Sequence, residues 1–471
     1  MTKTRRPRPA APRSAGRATA AALALTGLLA VSACSGGSEP APQAGGPAVT
    51  AEPAALSPSS TAGSSPTGTV VPLTPDVVSR LDTAIKQVMT QVGIPGVIVD
   101  YTTPDGTYQR SFGVADKNAG TPMSPDLYMR IGSVTKTFTA TGILQLVDQG
   151  KVGLDDPISR YVPGVPGGDG ITLRELGDMR SGLYSYTFDP DFQKAFFTDP
   201  NRPFTPQELL AYSFKHPANF APDAQFEYSN TNLILLGLVV EKVSGQPLAE
   251  YLQQNVFAPA GLTQSNLPVD AAFPAPHAHG YTNQTLSGAV EDSTDWNPSW
   301  AWAAGALIST RSDLQKWSKV LATGVPLVKP ATQAERLKTK PVGPSPDLGY
   351  GFGVFETHGW IGHNGSLPGY ESVVIYLPQA QASLVILLNT DILHDGSEPS
   401  TPLARAITQI VSPNNVYTLP TPPGSASASA SGSGSASRSP SGSGSPSAST
   451  TSASPSGPSP TANGSATLHV S

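Results

Sequence analysis

Apolar residues recur at Val77, Val78, Leu81, Ile85 and Val88, the three- and four-residue spacing that predicts an amphipathic helix over Pro75–Val92. After it the period changes. Val97-Ile98-Val99 and residues 108–114 flank Pro104-Asp105-Gly106, which predicts an antiparallel hairpin. A second pair of apolar runs, 373–377 and 384–388, flanks another short turn, and Pro402 marks a helix start ahead of Leu403, Ile407 and Ile410. Between these outer segments the pattern turns helical again. Phe138, Ala140, Ile143, Leu144 and Val147 form one run with Gly150 at its stop, and residues 233–240 form a second, stopped by Gly245. Val354-Phe355 and Trp360-Ile361 read as strands. Strands gathered near the two ends of the patterned region, with helices between them, predict an α+β domain: terminal helices packed on an antiparallel sheet, and a mostly helical second lobe.

The periodic part covers only about 340 of the 471 residues, enough for one sizeable domain. Before it, Lys3, Arg5, Arg6, Arg8, Arg13 and Arg17 precede an apolar stretch, 18–30, and then Val31-Ser32-Ala33-Cys34. This order predicts a lipoprotein signal peptide over 1–33, with Cys34 as the lipidated residue of the mature chain, exported and held at the outer face of the cytoplasmic membrane. The apolar stretch is too short to span a bilayer. Residues 34–72, rich in Pro, Gly, Ser and Thr, read as a disordered spacer, 73–413 as the folded domain, and 414–471 as a disordered Ser/Gly/Ala/Pro tail. Cys34 is the single cysteine, which excludes an internal disulfide and a cysteine-based zinc site. The net charge of -5 gives no reason to propose nucleic acid as a partner.

Three short motifs carry candidate chemistry. In Ser133-Val134-Thr135-Lys136 a helix would set the lysine beside the serine hydroxyl, and serine is a poor nucleophile without such a neighbour. At a helix N-terminus, unpaired N–H groups and the dipole favour the negative charge that an attacking serine develops. Tyr228-Ser229-Asn230 stands at the polar mouth of the second helix, where a tyrosine can exchange protons and Asn230 can meet a substrate carbonyl. His363-Asn364-Gly365-Ser366 follows the strand-like residues, and its glycine permits close approach of substrate to a strand backbone.

Together the three motifs resemble the active-site set of penicillin-recognising serine hydrolases, in particular the class C β-lactamase-like branch. Arg180-Ser181-Gly182-Leu183-Tyr184, His277-Ala278-His279-Gly280-Tyr281 and Ala304-Gly305-Ala306-Leu307-Ile308-Ser309 look like its connecting landmarks in the same order. Histidine at the head of the third motif is most similar to the actinomycete D-alanyl-D-alanine carboxypeptidases. The resemblance implies Ser133 as the acylated nucleophile, Lys136 as its proton-transfer neighbour and Tyr228 as the main acid/base. It implies an oxyanion hole from the backbone N–H groups of Ser133 and Ser366. Asn230, Trp300, His363, Gly365 and Ser366 would bind substrate, with Trp300 lining the cleft. No metal or other cofactor is implied. A peptidoglycan peptide ending in D-Ala-D-Ala is the leading substrate and β-lactams are expected ligands. A class C-like β-lactamase or esterase, or a non-catalytic β-lactam or muropeptide sensor, are the alternatives.

The departures bear on substrate. Phe355 stands where those carboxypeptidases carry an arginine for the substrate's terminal carboxylate, and neither neighbour is basic. Met179 replaces a frequent histidine, a change expected to be structural. His277 and His279 lack a third ligand at useful spacing and read as loop residues. Trp296, Trp300 and Trp302 read as a cleft wall or packing rather than a sugar platform, and Asp155-Asp156 as a loop rather than an acid/base pair.

Overall fold

The computed structural model describes residues 68–345 and 347–419. The expected signal peptide, Cys34 and most of the expected spacer and tail lie outside them. Helix α1, Pro75–Val92, matches the helix predicted from its apolar spacing. The Thr74 side chain accepts the Val77 N–H, and Pro75 occupies a first-turn position where no intrahelical N–H bond is lost. Gly93 ends the helix at φ 82°, the left-handed stop that glycine adopts at little cost. Val77, Leu81, Ile85 and Val88 are buried, each contributing about 1.5–3 kcal/mol of transfer free energy.

The hairpin follows as β1, Gly96–Thr103, and β2, Gly106–Asp116, with Thr103 opposite Gly106. With β3 (Thr121–Pro122), β4 (Lys340–Pro341), β5 (Leu348–Gly351), β6 (Val354–Thr357), β7 (Trp360–Leu367), β8 (Tyr370–Leu377) and β9 (Ala382–Leu388) it builds a nine-stranded sheet ordered β3-β2-β1-β9-β8-β7-β6-β5-β4. All pairings are antiparallel. Central strands alternate between two cores, as period two requires. Val97, Val99, Tyr101, Val373, Ile375, Leu384 and Ile386 face α1 and the C-terminal helix, while Ile98, Val374, Val385 and Leu387 face the helical lobe.

That C-terminal helix runs Ser400–Val411, two residues earlier than the start predicted from Pro402. Proline remains tolerated there because first-turn N–H groups have no intrahelical acceptor. The domain also extends beyond its expected bounds. Val71 N–H donates to the Val411 carbonyl, Tyr417 is buried, and Thr357 Oγ1 donates to the Thr418 carbonyl. The tail boundary at 414 is therefore corrected to lie past Thr418, because Trp360 Nε1 needs the Asn415 carbonyl as its acceptor.

In the lobe, α2 (Thr135–Asp148) and α3 (Asn230–Ser244) are buried almost all round. The apolar rim of α2 is gripped by α4, Arg311–Thr323, whose Trp317 stacks on Phe138 with centroids 3.8 Å apart and donates Nε1–H to Thr137 Oγ1. This holds α2 rigidly between sheet and lobe.

Candidate active site

The chain enters α2 through a tight 3-10 turn, Gly132–Val134, so Ser133 stands one turn ahead of the helix proper. Gly132 has φ 52°, and a Cβ there would fall 2.7 Å from the Ser366 nitrogen; one at Gly365 would fall 2.9 Å from the Ser133 nitrogen. Neither site has room for a side chain. The Ser133 turn is thus pressed against β7, and Ser372 on β8 fastens it by donating Oγ–H to the Ile131 carbonyl at 2.8 Å. The two N–H groups expected to hold an oxyanion are brought together by these contacts.

Lys136 is completely buried. Its Nζ lies 2.8 Å from Ser133 Oγ and 2.7 Å from the Ala304 carbonyl oxygen, and 4.8 Å from the centre of the Tyr228 ring. Burial holds its pKa well below the ordinary lysine value. The Tyr228 phenol is pushed the other way, well above its ordinary value, by burial first and by Tyr350 next. Ser133 sits near enough to pull that rise back in part, without an aligned hydrogen bond between the two hydroxyls. A phenol so displaced stays protonated, and an amine so displaced is readily neutral. Burial thus favours Lys136 over Tyr228 as the acceptor of the serine proton, against the acid/base role that the resemblance implies for Tyr228.

Tyr228, Ser229 and Asn230 each bury a side-chain oxygen that has no hydrogen-bond partner among the described residues. Three consecutive side chains at the mouth of α3 thus present polar atoms to the same space as Ser133 and Lys136. Asn230 is positioned by its N–H donating to Ser185 Oγ and its Nδ2 to Thr187 Oγ1, leaving Oδ1 unengaged.

His363 projects from β7 into the same space, its ring centroid 6.1 Å from that of Tyr228. Burial above all holds its pKa down at about 3, so it is neutral. Phe355 is half-buried beside it, with ring centroids 4.9 Å apart. The place expected to carry a cation is aromatic.

Trp300, only 2 % exposed, packs with Phe192 and Phe196 in the aromatic cluster behind Tyr186, the packing role of the two expected for it. Met179 is fully buried at φ 59°, its sulfur 3.6 Å from Asn232 Nδ2, a packing role in accord with the structural expectation. His277 bonds the Pro274 carbonyl and His279 bonds Asp292. Asp155 pairs with Arg174, and Asp156 caps its own loop at Gly153.

Sequence reasoning missed Tyr350, whose hydroxyl meets His363 Nε2 at 3.1 Å, and the Ala304 carbonyl on Lys136. Ala304 lay within a recognised landmark. Tyr350 could have been flagged only by the glycines on both sides of it, which mark a close-packed strand.

A beta-lactamase family model matches residues 81–408. The chain belongs to that family. Its members are serine hydrolases that recognise penicillins, and the α+β architecture found here is the family's fold. Over 315 residues the chain is 25 % identical to a penicillin-binding protein of Bacillus subtilis, covering 63 % of this chain and 68 % of that one. A beta-lactamase of Pseudomonas fluorescens is 29 % identical over 266 residues, covering 55 % and 68 %. Among solved structures, a D-stereospecific amidohydrolase from a Streptomyces species is similar with a TM-score of 0.62 at 32 % identity, covering 66 % of this chain and 94 % of that one. The D-amino acid amidase of Ochrobactrum anthropi, complexed with D-phenylalanine, gives 0.63 at 28 %, covering 71 % and 99 %.

Proposed function

We propose that this beta-lactamase family member is a D-stereospecific acyl-serine hydrolase, cleaving amide or ester bonds whose leaving side carries no free carboxylate near Phe355. The observation that carries the reaction is the buried Lys136 amine 2.8 Å from Ser133 Oγ. Substrate carbonyl oxygen accepts the Ser133 and Ser366 N–H groups. Lys136 takes the hydroxyl proton as Oγ attacks, and Tyr228 gives its own proton to the departing nitrogen or oxygen. The Lys136 ammonium then returns a proton to the phenolate, leaving acyl-Ser133 with both neighbours restored. A water attacks the ester, Lys136 takes its proton, and that proton returns to Oγ as the acid is released.

The substrate class rests on Phe355 and a neutral His363, which offer nothing to pair with a terminal carboxylate, and on likeness to two enzymes named for D-stereospecific amides. Likeness to a penicillin-binding protein favours a second reading, the D-alanyl-D-alanine carboxypeptidase. The test compares D- and L-amino acid amides with D-Ala-D-Ala peptides bearing a free or an amidated C-terminus. The expected result is about a hundredfold preference for D over L, and for the amidated end over the free acid. Preference for the free acid would restore the carboxypeptidase. No turnover of any of these, with β-lactam binding intact, would leave a sensor.

We place the enzyme outside the cytoplasmic membrane, tethered through Cys34, on the composition of residues 1–34. Cys34→Ser should release it to the medium; retention at the membrane would count against the anchor.

A further inference from the structure

We propose that Tyr350 is a positioning residue of this site: its hydroxyl fixes His363 as a neutral ring protonated at Nδ1, leaving Nε2 with no proton to offer Tyr228 or substrate. Donor and acceptor chemistry fixes the tautomer. His363 Nδ1 is hydrogen-bonded to the Asn364 carbonyl, which can only accept, so Nδ1 carries the proton. Nε2 is then a lone pair, and the Tyr350 hydroxyl 3.1 Å away must be its donor.

The surroundings enforce the same state. Tyr350 is fully buried on β5, and its phenol is held well above its ordinary pKa by burial and by the charge of Asp178, so it keeps the proton it donates. Its ring is wedged edge-on against Phe355, with centroids 4.6 Å apart, and stands 5.5 Å from Phe226 and 6.4 Å from Tyr228. The titratable groups facing His363 are Lys136 from α2, Tyr228 from the loop before α3 and Tyr350 from β5. Burial disfavours an imidazolium, and neither tyrosine carries a charge that would offset it. Phe355, on β6 between them, stands opposite both Tyr350 and Gly362 in the strand register and shuts the gap with a ring that has no hydrogen-bonding group.

The consequence is a division of the site. Proton traffic is confined to Ser133, Lys136 and Tyr228, while His363 serves as a neutral wall whose orientation Tyr350 sets. The kinetic part of this inference rests on the acyl-serine reading; the tautomer does not.

The experiment is nitrogen NMR of the imidazoles in full-length protein labelled at histidine, with His363 assigned through His363→Gln, together with acyl-transfer kinetics of Tyr350→Phe. The wild type should show Nδ1 protonated and Nε2 bare from pH 5 to 8. In Tyr350→Phe the Nε2 shift should change, and kcat should fall about tenfold, the worth of one hydrogen bond, with KM held within about twofold. An Nε2-protonated ring or an imidazolium in the wild type would overturn the proposal, as would a Tyr350→Phe enzyme with unchanged kcat and an unchanged His363 signal. If no substrate is turned over, the wild-type spectrum still decides the tautomer and the failure belongs to the acyl-serine reading.

Discussion

Lys136 Nζ sits between Ser133 Oγ at 2.8 Å and the Ala304 carbonyl oxygen at 2.7 Å, so one amine both meets the serine hydroxyl and is tied to the backbone of the opposite segment. A charged lysine there would have only uncharged partners, the Ala304 carbonyl, the Ser133 hydroxyl and the Tyr228 ring, to offset the loss of its hydration, which is why burial dominates its ionisation.

Stability should therefore depend on Lys136 in a definite sense. Its folded pKa is depressed, so between that value and about 10.4 the unfolded chain binds a proton the folded chain releases, and stability rises with pH. Lys136→Met, similar in length and uncharged, should raise Tm at pH 7 by roughly 5 °C while cutting acyl transfer by about a thousandfold. Thermal unfolding of a variant less stable than wild type would show that the lysine is charged and well compensated.

His363 gives the same sign at lower pH. With a folded pKa of about 3, against about 6.5 unfolded, it withholds a proton from the native state, and stability is lost as pH falls through that window. Denaturant unfolding at pH 4.5 and pH 6.5 should show wild type losing about 1 kcal/mol per pH unit more than His363→Gln. Equal losses would mean that His363 protonates freely in the fold.

Phe355→Arg should move specificity toward substrates with a free C-terminal carboxylate. One charge-assisted pair is worth about ten- to a hundredfold in kcat/KM, measured as the ratio between free and amidated D-Ala-D-Ala peptides. An unchanged ratio would mean that Phe355 does not border the leaving group.

Leu81 is fully buried between α1 and the sheet, remote from Ser133 in the fold's other core. Leu81→Ala should cost about 2–5 kcal/mol in denaturant unfolding and leave the kinetics of the folded fraction intact. Altered kcat in that fraction would show that the two cores are coupled through the sheet.

Much of this was legible because local signals agreed with tertiary ones. The spacing of Val77, Leu81, Ile85 and Val88, with Gly93 behind them, suffices for α1, and Pro104-Asp105-Gly106 suffices for the first hairpin. Ser133, Lys136 and Tyr228 were found because each lies in a motif whose residues are adjacent in sequence, and the fold brings them within contact of one another. The Tyr350–His363 bond was not legible, because it crosses a strand and depends on the register that sets Tyr350 opposite Phe355 and Phe355 opposite Gly362. Whether Trp300 packs or lines a cleft was open for a related reason: an aromatic near a landmark carries no mark of which way it points, and its ring contacts with Phe192 and Phe196 are set by the assembled lobe. Which of Lys136 and Tyr228 takes the serine proton was not legible, because the depth of burial, which shifts both ionisation equilibria, is a property of the assembled lobe.

Whether an acyl-enzyme forms on Ser133 is decided by the intact mass of wild type and Ser133→Ala after brief exposure to a penicillin or an activated D-amino acid ester. Wild type should carry an acyl adduct that maps to the peptide containing Ser133, and a Ser133→Ala protein that unfolds at the wild-type temperature should show neither adduct nor turnover. Turnover surviving in that variant, or an adduct on another residue, would contradict the Ser133 acyl-enzyme.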